Sequence, residues 1–237
     1  LKVMKSMSRI WMALVVGVTV MAVVVPSWAI PLSNTSLTWA QFTSLVDTED
    51  TEDVVGIPFV DYFAFEGGPQ GEIMSGVFKG KSGSNAEGLY AYIYQVKVYS
   101  TPDGKIDEVS IPFAPTAPSP STVNSISSFY ISSGVPEEGF FYGQGDKAPT
   151  KSAFASSVVS FSWIDNEIFA GESSYIFGFF HSAPPIQLRA NLSDSGAETK
   201  FPLVWTPSPE PSVFLLFGIG LTGSAVLSRV RRRMKKA

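Results

Sequence analysis

Few residues of this chain could do chemistry, and each set has an ordinary reading beside its functional one. A single histidine, His181, closes an aromatic run just before Ser182-Ala183-Pro184-Pro185. A hydrolytic triad needs a base within hydrogen-bond reach of a nucleophile, with a carboxylate behind it. Spacing alone selects no serine or aspartate for those roles, so a histidine at the rim of a strand is the plainer reading. With one histidine and no cysteine, a histidine-rich metal centre, a thiolate zinc site, a disulfide framework and a cysteine nucleophile are excluded.

Paired carboxylates could cleave a glycosidic bond if a fold held them at a fixed separation. The acids gather at Asp47 to Asp53, at Glu137-Glu138 and at Asp165 with Glu167, which is also where solvated loop charge gathers. Calcium takes hard oxygen ligands from closely spaced acids. Asp47, Glu49, Asp50, Glu52 and Asp53 form one candidate set, and Asp103, Asp107 and Glu108 another. Neither has EF-hand spacing. A solvated acidic face is the favoured reading of both, so no cofactor is expected and calcium is the alternative. Tyr90, Tyr92 and Tyr94 share one face of an alternating run. They could stack on sugar, but aromatic rings in strands more often pack inside, and that reading is preferred.

The elements that must position these residues read as strands. GLYAYIYQVKVYS, Gly88 to Ser100, sets Leu89, Ala91, Ile93, Gln95 and Lys97 against Tyr90, Tyr92, Tyr94, Val96 and Val98. Aromatic and β-branched residues at period two favour a strand buried on at least one face. Similar runs occur at VGIPFVDYFAFE, EIMSGVFKG, KIDEVSIPF, SISSFYIS, SAFASSVVSFSWI, SYIFGFF and IQLRANL. Turn chemistry separates them at Gly67-Gly68-Pro69, Pro102-Asp103-Gly104, Ser133-Gly134 and Gly171-Glu172-Ser173-Ser174. No window of helical periodicity interrupts the series, and strand signals begin only after the polar stretch that ends near Glu52. The expectation is an all-β fold of eight or nine strands, a two-sheet β-sandwich with jelly-roll or immunoglobulin-like topology open. Proline-rich APTAPSPST, Ala114 to Thr122, reads as a long connection within that sandwich, because neither half alone has strands enough to close a core.

Both ends differ from this body. Residues 1–29 carry Lys2, Lys5 and Arg9, an apolar run from Ile10 to Val25, Pro26, and then Ser27-Trp28-Ala29. That is the pattern of a secretory signal peptide cleaved after Ala29; a retained anchor is the alternative. At the other end, Pro211 to Ser228 is uncharged and strongly apolar from Val213 to Leu227, long enough to cross a bilayer as a helix at about residues 212–228. Arg229, Arg231, Arg232 and Arg233 follow as a stop and are expected to stay cytoplasmic.

The whole chain has 237 residues and a formal charge of −4. With nine of the cations in the two ends, eight cations and 20 acids remain in residues 30–208, a net −12. An acidic body argues against nucleic acid or anionic lipid as its partner. The domain reading is therefore 1–29 signal peptide, 30–206 body and 207–237 terminal segment.

Pro209-Glu210-Pro211, then the apolar run, then Arg231-Arg232-Arg233 at the terminus resembles the PEP-CTERM sorting signal. The resemblance covers about the last thirty residues. It implies a substrate of exosortases, membrane enzymes of Gram-negative bacteria whose substrates usually accompany exopolysaccharide and biofilm genes. On that basis the chain is exported across the inner membrane with signal peptidase and exosortase as processing partners. It is transiently anchored, then held at the cell surface or released. The expected function is that of a non-enzymatic surface or extracellular-matrix protein. A carbohydrate-binding or carbohydrate-cleaving module acting on exopolysaccharide is the alternative.

Overall fold

Alternating side chains make strands, and strands dominate the computed structural model, which describes residues 30–32, 34–48, 54–99, 104–112, 128–136, 141–155, 158–194 and 199–208. In chain order they are β1 (Ile30–Pro31), β2 (Asn34–Thr38), β3 (Val54–Ala64), β4 (Gln70–Lys79), β5 (Tyr90–Val98), β6 (Lys105–Ile106), β7 (Glu108–Pro112) and β8 (Ser128–Ser133). Then come β9 (Lys151–Ala155), β10 (Val158–Ser162), β11 (Ile168–Phe169), β12 (Ile176–His181), β13 (Pro185–Arg189), β14 (Asn191–Ser193), β15 (Thr199–Lys200) and β16 (Leu203–Pro207). One short helix, α1 (Trp39–Leu45), follows β2.

Two six-stranded sheets carry most of these strands. The first has the order β1-β9-β10-β7-β14-β15 and the second β2-β8-β12-β5-β4-β3. Neighbours are antiparallel except β2 and β8, which run parallel. Two-stranded pairings join β6 to β11 and β13 to β16.

The period of two decides what is buried where. From β5, Tyr92, Tyr94 and Val96 enter a cluster with Val109, Ile111 and Phe161 of the first sheet, so the two sheets share an apolar interior. The proline-rich connection at 114–122 lies outside the described residues, but Ile111 before it and Phe154 after it belong to that same cluster. On the opposite face of the second sheet, Met74, Phe78, Ala91 and Ile93 pack in a second cluster with Phe42, Phe129 and Ile131. The second sheet is therefore covered on both faces.

The cover on that outer face corrects the expectation that no helix interrupts the strands. Helix α1 spans only Trp39–Leu45, too short to display a repeating apolar stripe. It begins with a capping box: the Thr38 hydroxyl accepts the Gln41 N–H at 3.2 Å and the Gln41 side chain accepts the Thr38 N–H at 2.8 Å. Its anchor is the fully buried Phe42, whose ring lies 5.9 Å from Phe78 and 5.6 Å from Phe129. Burying such a ring contributes about 2–3 kcal/mol. The early polar stretch also supplies β1 and β2, which the sequence reading did not anticipate, and β11, β15 and β16 were missed likewise.

Strand β16 ends at Pro207, one residue past the expected boundary, and Ser208 N–H donates to Pro184 O at 2.7 Å. The expected signal helix (1–29) and the sorting segment from residue 209 with its membrane helix lie outside the described residues. Among the described residues no helix is long and apolar enough to cross a membrane.

Candidate functional site

Directly opposed residues of antiparallel strands project from the same face. The register pairs Tyr62 of β3 with Glu72 of β4, and Glu72 with Lys97 of β5. Three side chains thus form a row across three strands. Within β4, Glu72, Met74 and Phe78 share a face by their even spacing, so the row continues the face that carries the second apolar cluster and marks its polar end. Tyr62 is 67 % exposed, whereas Glu72 is 7 % exposed.

A loop closes over the row from above. The Lys97 ammonium lies 4.2 Å from the centre of the Tyr142 ring, a cation–π contact. Gln95, two residues before Lys97 on the same face, is fully buried and holds that loop down. Its Nε2 donates to Gly143 O at 3.2 Å and to Ser174 O at 3.0 Å, and its Oε1 accepts the Tyr142 N–H at 2.8 Å. Gln144 Nε2 donates to Ile131 O at 2.6 Å, tying the loop to β8 as well. Gly145 sits at φ 78°, where a Cβ would collide with the Ser174 carbonyl. Glycine is required there for both reasons.

Tyr99 and Tyr142 both face the Glu72 carboxylate. Burial, followed by hydrogen bonding to Glu72 and its negative charge, pushes the Tyr99 hydroxyl up to about 12. The same causes in the same order raise the Tyr142 hydroxyl further. Both phenols therefore stay protonated and can donate near neutral pH. The buried Glu72 carboxylate is thus occupied by two phenols and Lys97 is covered by the Tyr142 ring, which leaves the Tyr62 ring as the exposed member of the row.

The residues singled out by sequence fall elsewhere. Tyr92 and Tyr94 are fully buried, their hydroxyls donating to Ala183 O at 2.6 Å and Trp205 O at 2.7 Å. Tyr90 is partly buried against the same cluster. Interior packing is therefore the outcome for this face, and it offers no stacking surface for sugar. His181 does end a strand, but it is buried at 5 % exposure where a rim position was expected. Its Nδ1 accepts the Ala183 N–H at 3.0 Å. A neutral imidazole with Nδ1 accepting carries its proton on Nε2, which leaves Nε2 unable to take a proton from a nucleophile.

The carboxylates are also engaged. Lys105 Nζ contacts Glu167 Oε1 at 2.6 Å and holds that carboxyl below its usual range, opposite to what a general acid needs. Asp165 is exposed in a turn at φ 60°. Asp107 accepts the Ser193 hydroxyl at 3.1 Å and Glu108 the Ser110 hydroxyl at 2.7 Å. Burial raises the Asp107 carboxyl. Among the described residues no group of three or more His, Asp or Glu side chains could hold a metal ion. Of the calcium candidates, Glu49, Asp50, Glu52, Asp53 and Asp103 lie outside the described residues. So do Ala29, Pro209, Glu210, Pro211, Arg229, Arg231, Arg232 and Arg233.

Sequence reasoning put Lys97 on the correct face without singling it out and passed over Tyr62, Glu72 and Tyr142. The available cue was Glu72 itself, an acid in phase with Met74 and Phe78 in a strand otherwise apolar on that face. No family model, curated protein or solved structure matches the chain.

Proposed function

We propose that the chain is an exported, non-enzymatic surface or extracellular-matrix protein sorted through a C-terminal PEP-CTERM signal. The body is read as a two-sheet β-sandwich between a signal peptide at 1–29 and a membrane helix at about 212–228. The shared interior of the two six-stranded sheets supports the sandwich. The tautomer of His181 and the ion pair of Glu167 support a non-enzymatic role.

The observation that carries the reading is the order Pro209-Glu210-Pro211, an uncharged apolar run to Ser228, then Arg229 and Arg231 to Arg233. Prolines keep the tag extended around Glu210, outside the membrane, where an exosortase-like site can grip it. The apolar run holds the chain in the inner membrane, and the arginines stop translocation because each costs about 2.5 kcal/mol or more at the bilayer centre. Replacing Pro209, Glu210 and Pro211 by alanine leaves export and insertion intact while uncleaved precursor accumulates in the native host. Processing at the wild-type rate would reduce the segment to an anchor.

A second reading, a carbohydrate-binding module for the cell's own exopolysaccharide, is favoured by the exposed ring of Tyr62 on the edge strand β3.

A further inference from the structure

We infer that residues 30–38 form an exchangeable arm, and that copies of this chain join by seating the arm of one on the sheet edges of the next. The inference rests on the surface-protein reading, which supplies the crowding, and names the partner as a second copy. The arm closes one edge of each sheet. Strand β1 pairs with β9 at the margin of the first, Ile30 opposite Phe154 and Pro31 opposite Ala153, and β2 pairs with β8 at the margin of the second. The β2–β8 pairing is parallel, which no tight hairpin can produce. Asn34 Nδ2 donates to Pro149 O at 2.8 Å, 115 positions away, and Ser132 Oγ donates to Leu37 O at 3.2 Å. Without the arm, β8 and β9 would each present an unpaired row of N–H and C=O groups, which a strand of the same sequence satisfies.

Little apolar burial holds the arm in place. Among its described side chains Leu37 is buried and Leu32 only partly so. The root is fixed, by contrast. Helix α1 begins at Trp39, Phe42 is fully buried against Phe78 and Phe129, and the Lys81 N–H and Ser84 hydroxyl donate to Leu45 O at 2.8 and 2.9 Å. Thr38 joins the two with extended backbone at φ −82° and ψ 160°, so a change of its torsions swings the arm away while the helix stays. Fully extended, the arm reaches about 30 Å, far enough to cross to a neighbouring body.

An exchanged arm makes the same contacts as a retained one, so concentration decides between them. A tethered arm meets its own seat at an effective concentration on the order of millimolar, and crowding in a surface layer offsets that advantage. Timing favours exchange as well. The arm is made first and its seat on β8 and β9 long afterwards, so it waits unpaired while the completed edges of other copies stand within reach. The arm and the edges that accept it are different surfaces. The contact is therefore head to tail and extends from copy to copy, except where two copies exchange reciprocally.

The chain has no cysteine, which makes engineered pairs readable. Pro31→Cys with Ala153→Cys bridges the arm to β9, and Ser36→Cys with Tyr130→Cys bridges it to β8. Each double variant is produced as the full chain in the native host, oxidised at the cell surface and run on non-reducing denaturing gels. A ladder of linked copies that collapses to monomer on reduction is expected from both pairs. When the purified chain is reoxidised in neutral detergent at about 1 μM and about 1 mM, the linked fraction should rise about tenfold or more. Two pairs on separate sheets guard against a variant that misfolds, and unchanged circular dichroism of the reduced protein verifies each. Monomers closed by an internal disulfide, on cells and at both concentrations, overturn the inference while leaving the surface reading intact. Linked dimers equally abundant in the single-cysteine variants are random collisions and overturn it too. A chain retained inside the cell overturns the surface reading, and the concentration series on the purified chain then decides the exchange by itself.

Discussion

The Gln95 side-chain carbonyl accepts the backbone N–H of Tyr142 at 2.8 Å, so a residue in the middle of β5 determines where a loop 47 positions later sits. Through the other end of the same amide, Gln95 reaches Gly143 and Ser174, and all three bonds depend on one fully buried side chain. Gln95→Leu fills the same space but leaves an N–H and two carbonyls without this partner. Each such buried group costs about 1–3 kcal/mol, and chemical denaturation should register a loss of about 3 kcal/mol or more. A loss within about 0.5 kcal/mol, the range of ordinary surface substitutions, would mean that the loop is held by other contacts.

Helix α1 offers a comparison of packing with capping. Phe42→Ala removes a ring buried against Phe78 and Phe129 and should lower the unfolding free energy by about 3–5 kcal/mol. Thr38→Ala removes one half of the capping box and should cost about 1 kcal/mol. Urea melts of the two variants rank the effects, and the reverse order would show that the cap, not the core contact, holds the helix.

Alkaline titration reads the phenols. An unfolded tyrosine ionises near pH 10, whereas Tyr99 in the fold ionises at about 12. Between those values the unfolded chain has released a proton that the folded chain still holds. Stability therefore falls as pH rises through this window, and the loss is complete above the folded value. Tyr92, Tyr94 and Tyr142 are also raised and act in the same direction. Phenolate absorbance should appear late and together with unfolding. In Glu72→Gln the Tyr99 midpoint should move down toward 10, because one cause of the shift is removed while burial remains. An unmoved midpoint would separate Tyr99 from Glu72.

Sequencing of the exported protein should begin at Ile30. In the fold that residue opens β1, with Ile30 opposite Phe154 on β9, and Leu32 N–H donates to Ser152 O at 3.1 Å. An intact leader on the mature protein would contradict cleavage after Ala29.

Much of the all-β architecture was legible because period-two alternation reports burial directly, as in Gly88 to Ser100, where both faces could be assigned residue by residue. The same rule fails for elements held by partners distant in sequence. Strand β2, NTSLT, has little apolar character, and it exists because β8, some ninety residues later, pairs with it. Helix α1 was hidden by its length, although Thr38 and Gln41 stood at capping-box spacing. The candidate site was obscured for another reason. Its members are far apart in sequence, and only the register of β3, β4 and β5 and the loop fixed by Gln95 bring them together. Among the tyrosines, the conspicuous run was interior, while Tyr62, isolated between Asp61 and Phe63, was the exposed one.

The late position of β16 has a kinetic consequence. Its Trp205 N–H donates to Ser75 Oγ at 3.1 Å, and Tyr94 closes onto Trp205 O, so β4 and β5, made in the first half of the body, wait for a partner near its last residue. Under the proposed topology, Pro207 to Val213 is a leash of at most about 20 Å, and the finished body would hang directly against the bilayer. Folding would then be completed only after residue 207 has crossed, and the enzyme that cuts at the tag would meet a folded domain pressed close to the membrane. Under that topology the docking of β16 against β4 and β5 would be a late step of folding and would take place beside the membrane.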